Sequence, residues 1–451
     1  MISWFVLPYV ISTEKSHPSP FLFPFHILVR KRNGGKGMAF LISGGKPLYG
    51  NIRAQGAKNA ALPMLFATLL CRTPVTLYGV PDIGDVRVAL SLLSSLGAKI
   101  ERDTSGAITV DTSEAAVPTY ALKEAERIRA SSYLLGASVT RFGEGSMPYP
   151  GGCSFGVRPL DYHRAGFEAL HISWEENEKG ISVRRERNCG ASFHLPYPSV
   201  GATVNFILAA LGAEGESTLF GYAQEHHVLD FIAFLRAMGA SIQTEGAVLH
   251  ILGGRSLSGG SYTVTPDAIE AGTYLIAAAA TGGTVTVEGV RYGEISPLLL
   301  AFGRMNIPFR FSGDAVTVFG SSKMRPTSVI AAPYPAFPTD LHPQMTVLLS
   351  RAAGGGRISD LVWNERFSYL DELEKMGLKA SRFSHGVRVF ESRLHAAAVR
   401  SPDLRGGAAL VTAALVAEGE SRIEGEDMIL RGYEMLACKL FSLGAELRVS
   451  S

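Results

Sequence analysis

The sequence predicts an α/β protein of two domains, each built from three copies of one βαβ-type unit. Two observations carry this prediction: an amphipathic helix that ends in glycine recurs along the chain, and a second, almost wholly apolar helix alternates with it. The chain has 451 residues, 46% of them hydrophobic, and a formal net charge of +2. These values fit a globular protein with a large core, and they exclude a disordered chain or one that coats nucleic acid.

The first helix type combines one apolar face with a glycine stop. In DVRVALSLLSSLGAKI, the residues Val86, Leu90 and Leu93 share a face, and Gly97 is a plausible C-terminal cap. The segments HHVLDFIAFLRAMGASI, FSYLDELEKMGLKA and GYEMLACKLFSLGAEL repeat this design, and DYHRAGFEALHIS and SPLLLAFGRMNIPF are weaker copies. The stops recur at intervals of roughly 70 residues, which suits a small βαβ-type unit and is too long for a solenoid repeat.

The second helix type is rich in Ala, Leu and Gly and is apolar nearly all round. Six segments show it: GAKNAALPMLFATLL, RASSYLLGASVTRFG, SVGATVNFILAALGAEG, EAGTYLIAAAATGG, TDLHPQMTVLLSRAAGGG and DLRGGAALVTAALVAEG. A helix without a polar face is a buried helix. Each unit is therefore expected to hold one buried helix, one half-exposed helix and several strands.

Polar residues in the buried helices gather at the N-termini. A helix N-terminus offers free N–H groups and the positive end of the helix dipole, so it attracts anions. If the buried helices of each domain run parallel, two surfaces of N-termini would face each other and form a cleft for an anionic ligand. Capping alone explains Ser199, whereas basic residues at matched positions favour a ligand. The polar residues at the N-termini of the buried helices are Lys58, Asn59, Arg129, Ser199, Glu270, Asp340, Asp403 and Arg405.

Residues 1–38 are predicted to be an N-terminal extension outside the fold. The segment MISWFVLPYVI is too short to span a membrane and has no basic residue before it, so neither a span nor a signal peptide is expected. GGKGM back-translates to a purine-rich run like a bacterial ribosome-binding site, so Met38 is an alternative start to Met1. The cysteine spacing matches neither a zinc site nor a redox pair, which favours a cytoplasmic protein without disulfides.

Seven motifs resemble the enolpyruvyl transferases, and within them the enzymes that use UDP-N-acetylglucosamine as acceptor. They occur in order between Ile42 and Val449: GAKNAALP, PGGCSFGVRPLDYH, PSVGAT, FPTDLHPQ, NERF, DLR and RGYE. PGGC followed by GVRP separates these enzymes from their shikimate-phosphate relative. The resemblance implies an inside-out α/β barrel of six repeated βαβ-type units, with buried helices and outward sheets. It implies a first domain of residues 39–57 plus 267–451 and a second domain of residues 58–266, which carries the Cys153 loop, with the active site in the cleft between them.

The resemblance also implies a reaction. The enolpyruvyl group of phosphoenolpyruvate would move to the 3′-hydroxyl of UDP-N-acetylglucosamine with release of phosphate, which is the first committed step of peptidoglycan synthesis. No metal and no organic cofactor would be needed. The implied partners are the two substrates, without nucleic acid or membrane insertion, and we expect a monomer or a weak oligomer.

Roles for individual residues follow from the same resemblance. Cys153 would be the general acid, because an ordinary thiol is mostly protonated at neutral pH, and Asp340 would be the base toward the sugar hydroxyl. Further catalytic positions would be Lys58, Asp403 and Arg431. Phosphoenolpyruvate would be held by Lys58, Asn59, Arg158, Arg366, Arg405 and Arg431. The UDP-sugar would be held by Arg129, Arg158, Pro159, Leu160, Asp161, Tyr162, Tyr197, Pro198, Ser199, Val200, Asp340 and Val362.

The chain departs from the family pattern at four places. NERF stands where ENRF is usual, Leu430 replaces an aspartate before RGYE, AQEHH replaces AREPE at residues 223–227, and Ala268 replaces an arginine. None of these changes affects Cys153 or Asp340. Two alternatives stay open: an enolpyruvyl transferase with another acceptor, and a catalytically altered or silent paralogue that binds UDP-sugar.

Overall fold

Six buried helices form the centre of the protein. The structure is a computed structural model that describes residues 38–152, 159–321 and 323–450. The six helices fall in the six apolar segments of the sequence, and most of their residues are buried. They are α1 (Lys58–Ala67), α3 (Tyr133–Phe142), α5 (Val200–Ala210), α7 (Ala268–Thr281), α9 (His342–Ser350) and α11 (Leu404–Val416).

Six half-exposed helices alternate with the buried ones. They are α2 (Gly84–Ser95), α4 (Asp161–Ala169), α6 (His226–Ala237), α8 (Tyr292–Arg304), α10 (Tyr369–Lys375) and α13 (Leu436–Ser442), with the one-turn helix α12 (Glu426–Ile429) before the last. The predicted glycine stop after α2 is confirmed, because Gly97 has a φ of 97°. The weaker copies α4 and α8 end instead in His171 and Asn306, at φ 54° and 60°. None of the helices described here is long and apolar enough to cross a membrane.

The strands of the described residues form six sheets, one for each pair of helices. One sheet has the strand order β15 (Phe309–Ser312), β16 (Ala315–Phe319), β14 (Thr284–Glu288), β2 (Tyr49–Arg53). A second has the order β13 (Gly260–Thr263), β3 (Val75–Tyr78), β5 (Ile108–Asp111), β4 (Lys99–Arg102). A third has the order β6 (Glu144–Met147), β8 (Gly180–Arg185), β7 (Ile172–Asn177). The fourth sheet has the order β11 (Ser241–Glu245), β12 (Val248–Gly253), β10 (Gly215–Phe220), β9 (Ser192–His194). The fifth has the order β17 (Thr327–Ala331), β18 (Gly356–Asp360), β20 (Gly386–Phe390), β19 (Lys379–Phe383). The sixth has the order β21 (Ala398–Arg400), β22 (Gly419–Glu424), β1 (Ala39–Gly44), β23 (Glu446–Ser450).

The same pairing pattern recurs in the four-stranded sheets. Each has one parallel pair that includes an edge strand, such as β2 with β14, and its other pairs are antiparallel. This repetition supports the prediction that one βαβ-type unit was copied along the chain. The first strand, β1, lies between β22 and β23, where Ala39 pairs with both Glu424 and Ser450.

Two hydrophobic cores surround the buried helices. The first core runs from residue 57 to residue 264 and encloses α1, α3 and α5. The second core combines residues 40–54 with residues 271–445 and encloses α7, α9 and α11. The chain therefore passes from the second core to the first near Ala57 and returns near Val264, so the two cores are joined by two crossings.

Candidate active site

A cavity of about 600 Å³ is lined by residues from both cores. The starts of all six buried helices reach its wall, and two of them do so through the short 3₁₀ turns Arg129–Ser132 and Thr339–Leu341 that lead into α3 and α9. Because each helix N-terminus carries partial positive charge, their convergence favours an anionic ligand. The wall residues at the six starts are Lys58, Arg129, Val200, Ala268, Asp340 and Leu404.

The carboxylate of Asp340 lies between two buried arginines. Arg366 Nη1 donates to Oδ1 at 2.7 Å, Arg405 Nε donates to Oδ2 at 3.0 Å, and Arg405 Nη2 lies 2.9 Å from Oδ2 in an ion pair. Burial alone would raise the pKa of Asp340, but Arg405 and Arg366 outweigh it and hold this pKa well below its usual range. Asp340 is therefore ionised, and it is a weak base for as long as both arginines contact it.

A second carboxylate, Asp85, joins two cations in the cavity wall. Lys58 Nζ lies 2.8 Å from Asp85 Oδ2, and Arg431 Nε donates to Asp85 Oδ1 at 2.7 Å. Lys58 and Asp85 belong to the first core, whereas Arg431 follows α12 in the second. Burial opposes ionisation of Asp85, but Lys58 and Arg431 lower its pKa overall. The three charges sum to one net positive charge, which suits an anion bound beside Lys58 and Arg431.

Asp267 connects the starts of two buried helices from different cores. Its Oδ1 accepts from the backbone N–H groups of Ile269 and Glu270 at 2.8 and 3.1 Å and so caps α7. Its Oδ2 accepts from the backbone N–H of Lys58 at 3.2 Å, at the start of α1. The N-terminal ends of α1 and α7 are therefore held side by side at the cavity.

Another part of the wall is formed by α4, the start of α5 and the turn before α3. Arg129 Nη2 donates to the carbonyl of Pro159 at 3.0 Å, and Ser199 Oγ caps α5 by accepting from Ala202 N at 3.4 Å. The hydroxyl of Tyr197 is buried and has no hydrogen-bond partner among the described residues. Tyr197 lines the cavity, and burial raises its pKa to about 12, so the hydroxyl stays neutral.

In the part of the chain that the structure describes, no three His, Cys, Asp or Glu side chains are grouped so that they could hold a metal ion. Two carboxylates of the wall, Asp85 and Asp340, are each paired with Lys or Arg, an arrangement suited to binding organic anions.

A comparison with known protein families identifies the family to which this chain belongs. A family model described as EPSP synthase (3-phosphoshikimate 1-carboxyvinyltransferase) matches residues 42–440, almost the whole described chain. The chain belongs to the EPSP synthase family. This confirms the predicted resemblance to enolpyruvyl transferases and the inside-out α/β fold that goes with it.

Relatives at 38–40% identity are named UDP-N-acetylglucosamine 1-carboxyvinyltransferase. The protein from Halothermothrix orenii is 38% identical over 91% of this chain and 99% of its own length. The protein numbered 3 from Caldanaerobacter subterraneus subsp. tengcongensis is 40% identical, covering 90% of this chain and 98% of its own. The Clostridium botulinum protein is 38% identical, again over 90% and 98%.

Solved structures agree with the family assignment. The enolpyruvyl transferase NikO from Streptomyces tendae superimposes with a TM-score of 0.84 at 25% identity, covering 92% of this chain and 99% of its own. EPSP synthase from Acinetobacter baumannii gives a TM-score of 0.70 at 20% identity, with 92% and 100% covered, and at that identity it shows the fold alone.

Most residues predicted for the two substrates line the cavity of this EPSP synthase family member. Leu160 does not line it and packs against the first core. Asp403 is 2% exposed and lies behind the wall, where its Oδ1 caps α11 by accepting from the N–H groups of Arg405 and Gly406 at 2.9 and 3.0 Å. Cys153 and Arg158 lie outside the described residues. The predicted residues in the wall are Lys58, Asn59, Arg129, Pro159, Asp161, Tyr162, Tyr197, Pro198, Ser199, Val200, Asp340, Val362, Arg366, Arg405 and Arg431.

Sequence reasoning missed several residues of the wall, above all Asp85 and His163. Asp85 stands in the first turn of α2, where an acidic residue is an ordinary feature of a helix start. The signal that could have found it is burial, because Asp85 is only 4% exposed although α2 is half-exposed. His163 is the last residue of the motif PGGCSFGVRPLDYH, but neither that motif nor the amphipathic pattern of α4 predicts a role for it.

The departures from the family pattern fall into two groups. Asn364 and Glu365 are exposed and lie outside the cavity wall, and Leu430 meets the first core through its backbone carbonyl, which accepts from Gly84 N at 3.1 Å. By contrast, Ala268 and the two histidines of AQEHH belong to the wall. The residues of the first group do not line the cavity, whereas those of the second form part of its surface.

Proposed function

We propose that this protein transfers the enolpyruvyl group of phosphoenolpyruvate to the 3′-hydroxyl of UDP-N-acetylglucosamine and releases phosphate. The observation that carries the proposal is the cavity itself, where Lys58 and Arg431 lie in the same wall as Asp340, Arg366 and Arg405. The names of relatives at 38–40% identity support this choice of acceptor. The reaction would serve peptidoglycan synthesis in the cytoplasm.

Both substrates are anions, and the wall supplies cations at two places. Lys58 and Arg431, held by Asp85, would bind the phosphate of phosphoenolpyruvate, and Arg405 would contact its carboxylate. Guanidinium groups suit this task because they bind carboxylate and phosphate through two parallel hydrogen bonds. Arg129 and the start of α5 would receive the UDP-sugar.

The chemistry requires one proton to leave and another to arrive. The sugar oxygen gives up its proton and bonds to C2 of phosphoenolpyruvate, while C3 takes a proton and becomes a methyl group. The tetrahedral adduct then loses a proton from C3 and releases phosphate, which restores the double bond. Asp340 would take the hydroxyl proton, and Cys153, which lies outside the described residues, would protonate C3.

Asp340 can act as base only if its environment changes when substrate binds. The two guanidinium groups that contact it are also the groups expected to contact the substrate carboxylate. When the substrate shares those hydrogen bonds, less positive charge remains on Asp340 and its pKa rises. We propose that this exchange, together with closure of two domains formed by residues 39–57 plus 267–451 and residues 58–266, makes Asp340 basic only in the loaded site.

The acceptor is tested by measuring phosphate release from phosphoenolpyruvate with one acceptor at a time. We expect release with UDP-N-acetylglucosamine and none with shikimate 3-phosphate or without acceptor. Release with another acceptor alone would favour a different transferase of the same family. No release from a protein that still binds UDP-N-acetylglucosamine would favour the silent paralogue.

A further inference from the structure

A buried asparagine, Asn205, links three helices behind the cavity wall. It lies within α5 and is 1% exposed. Its Oδ1 accepts from the backbone N–H of Gly136 in α3 at 3.1 Å, and its Nδ2 donates to the carbonyl of Ser132 at 3.1 Å. A side chain at residue 136 would collide with Asn205, since a Cβ there would sit 2.8 Å from Oδ1. Glycine at this position therefore permits the contact.

The two backbone contacts fix which way the amide of Asn205 faces. A backbone N–H can only donate and a backbone carbonyl can only accept, so exchanging Oδ1 and Nδ2 would place like groups against each other at both contacts. The nitrogen is thus assigned by its partners, and it must face Ser132. The same nitrogen also lies 2.8 Å from Nδ1 of His163.

This geometry sets the tautomer of His163. The Nδ2 group of Asn205 has two protons, one directed at Ser132 and the other at the imidazole, and it has no lone pair to offer. Nδ1 of His163 must therefore accept, so the ring carries its proton on Nε2. The opposite tautomer would bring two N–H groups together at 2.8 Å.

The Nε2 end of the ring is at the cavity. His163 is 7% exposed and lines the wall together with Gly201, the second residue of α5. A Cβ at residue 201 would sit 2.8 Å from Nε2, so only glycine allows the ring this close to the helix start. The donor on Nε2 therefore lies beside the start of α5, which is the positive end of that helix.

We propose that Asn205 is a positioning residue for the nucleotide sugar: it holds His163 in the Nε2–H form, so that His163 donates a hydrogen bond to the diphosphate of UDP-N-acetylglucosamine. This inference rests on the proposed function for the identity of the ligand. The diphosphate is favoured over the sugar because the donor lies at a helix N-terminus, where anionic oxygens bind. Asn205 itself does not contact substrate and acts through the ring.

The tautomer is tested directly by ¹⁵N NMR of the histidine ring nitrogens. We expect an unprotonated Nδ1 on His163 in the wild-type protein. Asn205→Asp keeps the acceptor for Gly136 but has no proton to offer, so Nδ1 should become protonated. A protonated Nδ1 in the wild type, or an unprotonated Nδ1 in Asn205→Asp, would overturn the inference.

The effect on binding is tested by calorimetry with UDP-N-acetylglucosamine and with UDP. Asn205→Leu, which removes the donor at similar volume, should weaken both ligands on the order of tenfold, the worth of one hydrogen bond to a charged group. His163→Asn should do the same, whereas His163→Gln can keep a donor nitrogen near the Nε2 position and should lose less. Weakening confined to UDP-N-acetylglucosamine would show that the ring meets the sugar and not the diphosphate.

A double variant separates positioning from simple damage to the fold. In the His163→Gln background there is no tautomer to set, so Asn205→Leu should add little further loss of affinity. An equal loss in both backgrounds would mean that Asn205 acts structurally, and the proposal would fall. Thr203→Val is the matched control, because it removes another buried polar group of α5, whose Oγ1 accepts from Ala223 N at 3.0 Å. It should lower the melting temperature but leave UDP affinity unchanged.

Failure of the proposed function gives a different result. If the wild-type protein binds neither UDP-N-acetylglucosamine nor UDP, the acceptor is wrong. The ring-nitrogen spectrum still decides in that case whether Asn205 sets the tautomer of His163.

Discussion

Arg405 Nε donates to one carboxylate oxygen of Asp340 at 3.0 Å, and Arg405 Nη2 forms an ion pair with the same oxygen at 2.9 Å. The bond ties the start of α11 to the turn before α9, two buried helices of the second core. Because a guanidinium group is also the preferred partner of a substrate carboxylate, we propose that Asp340 and the substrate compete for Arg405. This competition would link binding of the anion to the basicity of Asp340.

Replacing Asp340 with asparagine tests its role as base. Asn cannot take the hydroxyl proton, so we expect Asp340→Asn to lower kcat by about 10²- to 10⁴-fold in a phosphate-release assay. It also leaves Arg366 and Arg405 without their counter-charge, so the free energy of unfolding should fall by roughly 3 kcal/mol. Asp314→Asn, an exposed position, is the control. A kcat within twofold of the wild type would rule out the base assignment.

Removing the charge of Asp85 is expected to strengthen the binding of phosphate and to lower kcat. In Asp85→Asn, Lys58 and Arg431 keep their positive charge without a carboxylate partner, so inorganic phosphate should bind about fivefold more tightly. The same change frees both side chains from fixed positions, so kcat should fall about tenfold or more. Asp82→Asn is the matched control, since Asp82 pairs with Arg87 at the surface. Weaker phosphate binding in Asp85→Asn would contradict this account.

His227 should make the stability of the protein depend on pH. Burial lowers its pKa to about 4, although Asp267 and Asp340 act in the opposite direction. Because the pKa of His227 is lower in the folded protein than its unfolded value of about 6.5, the neutral side chain stabilises the folded state. This stabilisation is complete above a pH of about 6.5 and is lost as the pH falls through about 4. The loss should reach about 3 kcal/mol in urea unfolding, and His227→Gln should lack it. His194→Gln, at an exposed position, is the control, and parallel pH profiles for wild type and His227→Gln would refute the assignment.

Cys153 is predicted to be the general acid from its motif. We expect Cys153→Ala to abolish nearly all turnover while the melting temperature stays unchanged. Cys153→Asp should retain activity and resist a thiol-alkylating epoxide, because a carboxylic acid can donate the proton but is less nucleophilic. Cys189→Ala, which removes an exposed thiol, should change neither property. Inactivation of Cys153→Asp by the epoxide would place the target thiol elsewhere.

Much of the fold could be predicted because the burial of a helix determines the pattern of apolar residues in its sequence. The buried helices are apolar on all sides, and α5 and α11 occur where such segments predict them. The glycine stop at Gly97 could be predicted for the same local reason, since only a residue tolerant of positive φ can end a helix in that way. The convergence of helix N-termini followed from the matched positions of polar residues in the six copies.

The rest of the site depends on contacts between distant residues. Asn205 looks in sequence like one polar interruption of an apolar helix, and nothing local indicates that its partner His163 lies on another helix. Asp403 was predicted among the cleft residues, but its side chain turns back to cap α11, a choice that depends on backbone angles. Asp85 accepts a hydrogen bond from Arg431, which lies 346 positions away in the sequence. No local sequence pattern predicts such a pair.

The reaction product tests most directly whether the cavity transfers an enolpyruvyl group to a nucleotide sugar. The protein is incubated with phosphoenolpyruvate and UDP-N-acetylglucosamine, and the nucleotide sugar is then examined by mass spectrometry while the released phosphate is measured. We expect each converted nucleotide sugar to gain one enolpyruvyl group and one phosphate to appear for each product. Unmodified UDP-N-acetylglucosamine, recovered from a protein that binds both substrates, would contradict it.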